Sequence, residues 1–282
     1  MTSMIEAAIL TAIAARLDAA LTGGASPAHG LRVDGARLAR FDAARMARLA
    51  AFAQVFVREG DDLRFAAALD SPARRSEALE AVATTLAAEG ALTAWRDERY
   101  AVRAAFDEPP AFLLERAAAR YFGIHTYAAH ANGLVRDGCG GEAQWPRMWL
   151  ARRSPTKAID PSRLDNLVGG GIPGTEPPAA TLRREAWEEA GIADARVGAP
   201  VATLTLSRAV SDGFQHETIF VYDLWLPVSF VPRNQDGEAV EHRLVDFGEA
   251  ARLMANAGGT DVLTIDATLV AFDCLQRCHF VK

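Results

Sequence analysis

Gly170-Gly171-Ile172-Pro173-Gly174-Thr175-Glu176 opens a stretch that continues through Arg184-Glu185-Ala186-Trp187-Glu188-Glu189-Ala190-Gly191-Ile192. The spacing predicts a helix from about Pro178 to Ala190, because proline is tolerated in a first turn and a glycine follows the last one. On that helix Glu185, Glu188 and Glu189 stand at i, i+3 and i+4, so three carboxylates share one face. Like charges so placed repel, and a counter-charge is expected. Hard divalent ions prefer oxygen ligands, and Mg2+ or Mn2+ commonly binds a few carboxylates together with substrate phosphate oxygens. The other side of the helix carries Ala179, Leu182, Ala186 and Ala190, a stripe suited to packing on a sheet. Gly170 and Gly191 bracket the unit where the backbone must turn or let another group come close. Arg184 and Glu176 are placed to form an ion pair between helix and loop.

Clustered carboxylates ordinarily mean a solvated helix face. Here the order Gly170-x5-Glu176-x7-Arg184-Glu185-x2-Glu188-Glu189-x-Gly191-Ile192 fills every defined position of the Nudix box. With average residue usage of about 7% per fixed position, a chance match is on the order of one in a million. The chain is therefore identified as resembling the Nudix superfamily from roughly Ala119 onward. The resemblance implies an α/β fold, a Nudix α/β/α sandwich, with the box as loop, helix and loop. It implies Glu185, Glu188 and Glu189 as metal ligands, one of them assisting deprotonation of water, and Arg184 as their orienting partner.

Working outward, residues 1–118 read as an N-terminal α+β domain of unclear role, and residues 119–282 as the Nudix hydrolase domain. Ile5, Ile9, Ile13, Leu17 and Leu21 recur every four residues, one apolar face of a first helix. Leu31-Arg32-Val33 before Asp34-Gly35 reads as strand and turn, Ala43 to Phe52 as helix, and Val55 to Phe65 as a hairpin. Ser76 to Glu89 reads as a helix and Arg99 to Ala104 as a strand. Asp107-Glu108-Pro109-Pro110 predicts a helix start, with its body over Ala111 to Tyr121. Strands follow at His125–Val135, Met148–Arg152 and Leu167–Gly170. Two longer strands, Val201–Val210 and Gln215–Leu226, flank a turn at Ser211-Asp212-Gly213, and two helices close the pattern, Glu249–Ala257 and Asp266–Phe280.

A second resemblance runs through His130-Ala131-Asn132-Gly133, Met148-Trp149-Leu150-Ala151-Arg152-Arg153-Ser154, Leu164-Asp165-Asn166 leading into Gly169-Gly170-Gly171, Val221-Tyr222-Asp223-Leu224 and Asp236-Gly237-Glu238. These look like a subgroup related to the Nudix half of fungal thiamine pyrophosphokinase and to plant and yeast Nudix enzymes acting on damaged thiamine diphosphate. The resemblance implies hydrolysis of oxidised thiamine diphosphate to the monophosphate, with Asn166, Gly170 and Gly171 among the substrate-binding residues. The alternatives are a Nudix pyrophosphatase for ADP-ribose or NADH, and a non-catalytic ligand-sensing module.

Arg152, Arg153 and Lys157 lie near a strand end and are candidates to meet phosphate oxygens, the arginines as planar forks and the lysine as a point charge. In Nudix enzymes a loop often supplies a further base, for which Glu238 is the candidate and Glu241 the alternative. Trp149, Trp187 and Trp225 are candidates to stack on a heterocycle, although core packing is their commoner use. His130 and His216 are candidate ring or phosphate contacts with the same qualification.

A net charge of -6 over 282 residues argues against broad binding to nucleic acid or anionic membrane. Cys139, Cys274 and Cys278 do not make a disulfide framework, and Cys274-x3-Cys278-His279 lacks a second ligand cluster for zinc. The expectation is a cytoplasmic protein with a small-molecule diphosphate as its partner. A homodimer is one use open to the N-terminal domain; a lid or part of the substrate pocket are others.

Overall fold

The computed structural model describes residues 5–24, 26–136 and 146–279, so Cys139 lies outside the described residues. The chain begins with helix α1 (Ala7–Thr22), then strands β1 (His29–Val33) and β2 (Ala36–Phe41), helix α2 (Ala43–Ala50), strands β3 (Phe56–Glu59) and β4 (Asp62–Phe65), and helix α3 (Pro72–Ala88). Asp34 and Gly35, both at positive φ, make the β1–β2 turn. Ser71 caps α3, accepting a hydrogen bond from the Arg74 amide, and Pro72 fills its first turn.

Next come β5 (Arg99–Val102) and β6 (Phe112–Glu115), an antiparallel pair, followed by a 3-10 turn (Arg116–Ala118) and the short helix α4 (Ala119–Phe122). The helix expected over Ala111–Tyr121 is therefore mostly a strand and a tight turn. Phe112 and Leu114 alternate into the core opposite Val102 and Tyr100, and sheet pairing overrides the helical signal of the two prolines. Val33, Phe41, Phe65, Leu79, Leu86, Phe112 and Phe122 belong to one buried cluster drawn from residues 31–124.

The second half contains β7 (His125–Val135), β8 (Arg147–Arg153), β9 (Leu164–Asn166), β10 (Val168–Gly171), α5 (Pro178–Ala190), β11 (Ala202–Val210), β12 (Gly213–Leu226), β13 (Ala239–Asp246), α6 (Phe247–Ala255) and α7 (Ile265–His279). Its sheet runs β11-β12-β7-β8-β13, with β10 on β7 and β9 on β8. β12 and β7 pair in parallel along their length, and β7 splits its partners: Ala128–Ala131 face β10, whereas Gly133–Val135 face β8. That fork brings β10 and the box loop to the middle of the sheet. Strand β13 was not anticipated; its ladder with β8 places Glu241 opposite Arg152.

Helix α5 covers one face of the sheet, packing Leu182, Ala186 and Ala190 against Ala129, Ala131, Val168 and Leu224. Helices α6 and α7 cover the other through Ala250, Met254, Ala267 and Ala271, giving the α/β/α sandwich. Helix α1, read above with the N-terminal domain, joins this outer layer instead. Ile13 and Leu17 are buried against it, and Arg16 donates from Nη1 to the Met254 carbonyl at 2.6 Å and from Nη2 to the Leu263 carbonyl at 2.5 Å. Burying the two aliphatic side chains contributes roughly 1.5–3 kcal/mol each. Amphipathic spacing identifies a buried face but not the surface it meets.

Candidate active site

Helix α5 starts at Pro178 and ends on Gly191, which takes the left-handed conformation at φ 69°; the Ile192 amide then reaches back to the Ala186 carbonyl at 3.0 Å. Within it Glu185 and Glu189 are buried and Glu188 is half-buried. Burial pushes the Glu185 carboxyl up. Glu189, desolvated and beside Glu185, is pushed up to about 8. The Gly169 amide donates to Glu189 Oε2 at 2.8 Å and fixes it. Arg184 Nη1 lies 2.8 Å from Glu185 Oε1 and 2.9 Å from Glu188 Oε2, and its Nη2 is 3.6 Å from Glu176. The anticipated ion pair between helix and loop is therefore one arm of a four-residue network.

The glycines before the helix are close-approach sites. A Cβ on Gly170 would overlap the Glu185 carboxylate, and one on Gly169 would lie 2.8 Å from the His130 ring. A Cβ on Gly171 would overlap the Tyr100 hydroxyl. Tyr100 comes from β5, bridges to Gly174, and shares that junction with the Gly174 amide bond to the Arg99 carbonyl at 2.8 Å. The β5–β6 hairpin is thus stitched to the box loop.

Between the two halves lies a cleft of about 410 Å3, within the range of small-molecule sites. The box side contributes Gly170, Gly171, Arg184, Glu185 and Glu188. The facing wall comes from the N-terminal half, with Arg96, Glu98, Tyr100, Arg116 and Arg120. Two further acids line the cleft: Thr126 donates to Glu217 at 2.9 Å, and Gln215 Nε2 donates to Glu217 at 3.2 Å and to Asp266 at 3.1 Å.

The expected phosphate-binding residues divide. Arg153 and Lys157 line the cleft. Arg153 gives its donors to the Ile159 and Asp160 carbonyls and to Asp165 Oδ2 at 2.7 Å, and Lys157 pairs with Glu238. Arg152 is a correction. Alternation along β8 turns it away from the cleft, to Glu241 at 2.6 Å, Asp261 at 2.5 Å and the Ser162 and Thr260 carbonyls. Asn166 is also a correction: it is buried off the cleft, where its Oδ1 meets His130 Nδ1 at 2.9 Å.

Glu238 lines the cleft but is held by Lys157 and by Arg96 at 3.2 Å. Glu241 lies outside it, and hydrogen bonds from Arg243 and Arg152 hold its carboxyl low. His130 and His216 line the cleft, whereas Trp149, Trp187 and Trp225 do not. Trp187 and Trp225 are exposed, and Arg136 covers the Trp225 ring at 4.6 Å. Tyr100, Arg116, Glu217 and Asp266 went unnoticed in the sequence, where no spacing links them to the box.

As the side chains stand, no three acidic, imidazole or thiol groups among the described residues converge on one point. The donor chemistry nevertheless suits a hard cation. Glu185 and Glu189 are oxygen donors whose ionisation is opposed by burial, and at Glu189 by Glu185 as well, a cost that a divalent ion would relieve.

Residues 127–264 match the NUDIX domain family, and residues 23–126 match a domain of unknown function, DUF4743. Nudix hydrolases 20 and 24, chloroplastic, of Arabidopsis thaliana are each 36% identical to this chain over 217 residues, 76% of its length. The chain spans 56% and 57% of those two relatives, little more than half of each. A Nudix hydrolase of Deinococcus radiodurans is 34% identical over 129 residues, 43% of this chain and 70% of that protein.

Proposed function

This chain belongs to the Nudix hydrolase family, and from that premise we propose that it hydrolyses the phosphoanhydride bond of a small organic diphosphate. The observation that carries the reading is a cleft large enough for a small molecule, lined by Glu185 and Glu188 beside the glycine loop, with Glu189 off its lining, buried on the Gly169 amide. Glu185, Glu188 and Glu189 would hold the divalent ion, Mg2+ or Mn2+. When bound, such an ion offsets phosphate charge and acidifies water.

The chain's own residues set the geometry. Arg184 orients Glu185 and Glu188, and the Gly169 amide aims Glu189. Glu189, pushed up to about 8, holds a proton near neutrality, and burial pushes Glu185 in the same direction. Glu238 sits at the rim on two cations, and it becomes a base only where substrate draws Lys157 or Arg96 away.

Oxidised thiamine diphosphate, cleaved to the monophosphate in a housecleaning role in the cytoplasm, is the substrate we favour, on the sequence stretches that resemble that subgroup. The acceptors Glu217 and Asp266 in the cleft wall suit a head group that donates hydrogen bonds. An aminopyrimidine does so. Adenine does too, which keeps ADP-ribose or NADH as the second reading.

The test is phosphate-product release by the full chain with magnesium, offering thiamine diphosphate, oxo-thiamine diphosphate, ADP-ribose and NADH in parallel. Turnover of the thiamine compounds, lost in Glu188→Gln and Glu189→Gln, supports the reading. Preference for ADP-ribose or NADH removes the thiamine assignment, and binding with no turnover of any compound points to a ligand-sensing module.

A further inference from the structure

Diphosphate oxygens require hydrogen-bond donors, and the cations of the catalytic half that line the cleft are already committed. Arg153 donates from Nε, Nη1 and Nη2 to Asp165 and two carbonyls, Lys157 is paired with Glu238, and Arg184 is shared among the carboxylates of its own network. The facing wall differs. Arg116 lines the cleft, and of its side-chain nitrogens only Nη1 has a hydrogen-bond partner among the described residues, Glu98 Oε2 at 2.8 Å. Its Nε and Nη2 are uncommitted. Arg120, four residues on, has one ion-pair partner among the described residues, Asp212 at 3.7 Å, beyond hydrogen-bond length.

Arg116 is also held in place. Its amide donates to the Glu98 carbonyl at 2.8 Å, and its guanidinium lies 5.8 Å from the centroid of the Tyr100 ring, which itself rests on Gly171 of the box loop. The guanidinium therefore lines the cleft beside the Tyr100 ring that seats on the box loop at Gly171.

We propose that the N-terminal half completes the substrate site: Arg116 donates to the diphosphate oxygens of the substrate, and Arg120 reaches the same ligand farther along. This rests on the diphosphatase reading. It gives residues 23–126, which match a domain of unknown function, a part in binding the substrate. A planar fork with two free donors is suited to phosphate oxygens.

The test is calorimetric titration of the full chain with methylenediphosphonate in magnesium, alongside kinetics on whichever compound of the panel is turned over. Losing charge-assisted hydrogen bonds in Arg116→Gln is expected to weaken probe binding about tenfold or more, with KM rising more than kcat falls. Arg116→Lys keeps the charge but not the fork, so it is expected to recover part of the loss. Arg58→Gln, an exposed arginine on the β3–β4 hairpin, is expected to leave binding unchanged.

Wild-type affinity in Arg116→Gln, with the parent chain binding the probe, overturns the proposal and leaves the hydrolase reading intact. A parent chain that neither binds the probe nor hydrolyses any compound overturns both. Should the glutamine variant unfold, wild-type affinity in Arg116→Lys overturns the proposal equally.

Discussion

The Tyr100 hydroxyl occupies the space that a side chain at Gly171 would fill, so the N-terminal hairpin and the box loop meet with no room for a methyl group between them. Gly171→Ala must push the two apart. The expected result is a loss of about 1–3 kcal/mol in stability and a larger fall in kcat/KM, because the cleft wall moves with the hairpin. Tyr100→Phe removes the clashing atom and leaves the ring, whose Cζ lies 3.0 Å from the added Cβ position. The double variant is therefore expected to regain part of both losses. Thermal unfolding and kinetics on the three variants decide the matter; a double variant no better than Gly171→Ala would remove the contact as the cause.

Gly170 makes the corresponding accommodation for Glu185, whose carboxylate fills the position of a Cβ there. Gly170→Ala is expected to displace one metal ligand while leaving Glu188 and Glu189 in place. Mn2+ binding followed by electron paramagnetic resonance should weaken about tenfold or more, equivalent to about 1.4 kcal/mol. Activity should be partly restored by excess metal. Unchanged Mn2+ affinity would exclude Glu185 from the ligand set.

Metal-free stability should depend on pH through Glu189. Its carboxyl is raised in the folded chain, by burial first and Glu185 second, to about 8 from its ordinary value of 4.5. A raised group favours the folded state while protonated, so the stabilisation is complete below the unfolded value and lost as pH climbs to about 8. Relative to Glu189→Gln, which does not titrate, the wild-type chain should lose on the order of a few kcal/mol between pH 4.5 and 8 and then level off. Denaturant unfolding of both proteins in chelator at several pH values measures this, and parallel curves would show that Glu189 is not buried as described.

Arg152 is expected to matter for stability and not for catalysis. It ties β8 to Glu241 on β13 and to Asp261 and Thr260 before α7, on the side away from the cleft. Both carboxylates keep Arg243 as a second partner. Being partly exposed, they limit the cost of Arg152→Ala to about 1–2 kcal/mol. KM for the turned-over diphosphate should be unchanged, and a tenfold rise would return Arg152 to the site.

The catalytic helix was legible in the sequence because its chemistry is local: Glu185, Glu188 and Glu189 on one face, Leu182 and Ala186 on another, and Gly191 at its end. Strands β7 and β12 were equally plain, each a long β-rich segment with clear boundaries. The phosphate contacts were not. Arg152 and Arg153 are neighbours in sequence, and only the register of β8 against β13 and β9 shows that they serve different surfaces. The resemblance implies Asn166 as a ligand contact, yet its buried side chain is hydrogen-bonded to His130 instead. Arg116 and Tyr100 could not be found at all. Their relation to the box arises from docking between segments about 70 residues apart, which no short-range pattern records.

The course of the chain around the second half has a mechanical consequence. α1 lies in the outer helical layer with α6 and α7, residues 29–124 then build the opposing wall, and the chain re-enters the large sheet at β7. The segment carrying Arg116 is accordingly fastened to the catalytic half at both ends, as an insertion and not as a pendant arm. Swinging it away would require two joints to give way together, whereas a single tether would leave it free to wander. Double attachment keeps the effective concentration of Arg116 opposite Glu185 high. A single protease cut between Thr22 and His29 would convert that closed frame into a one-hinged arm without removing any side chain from the cleft.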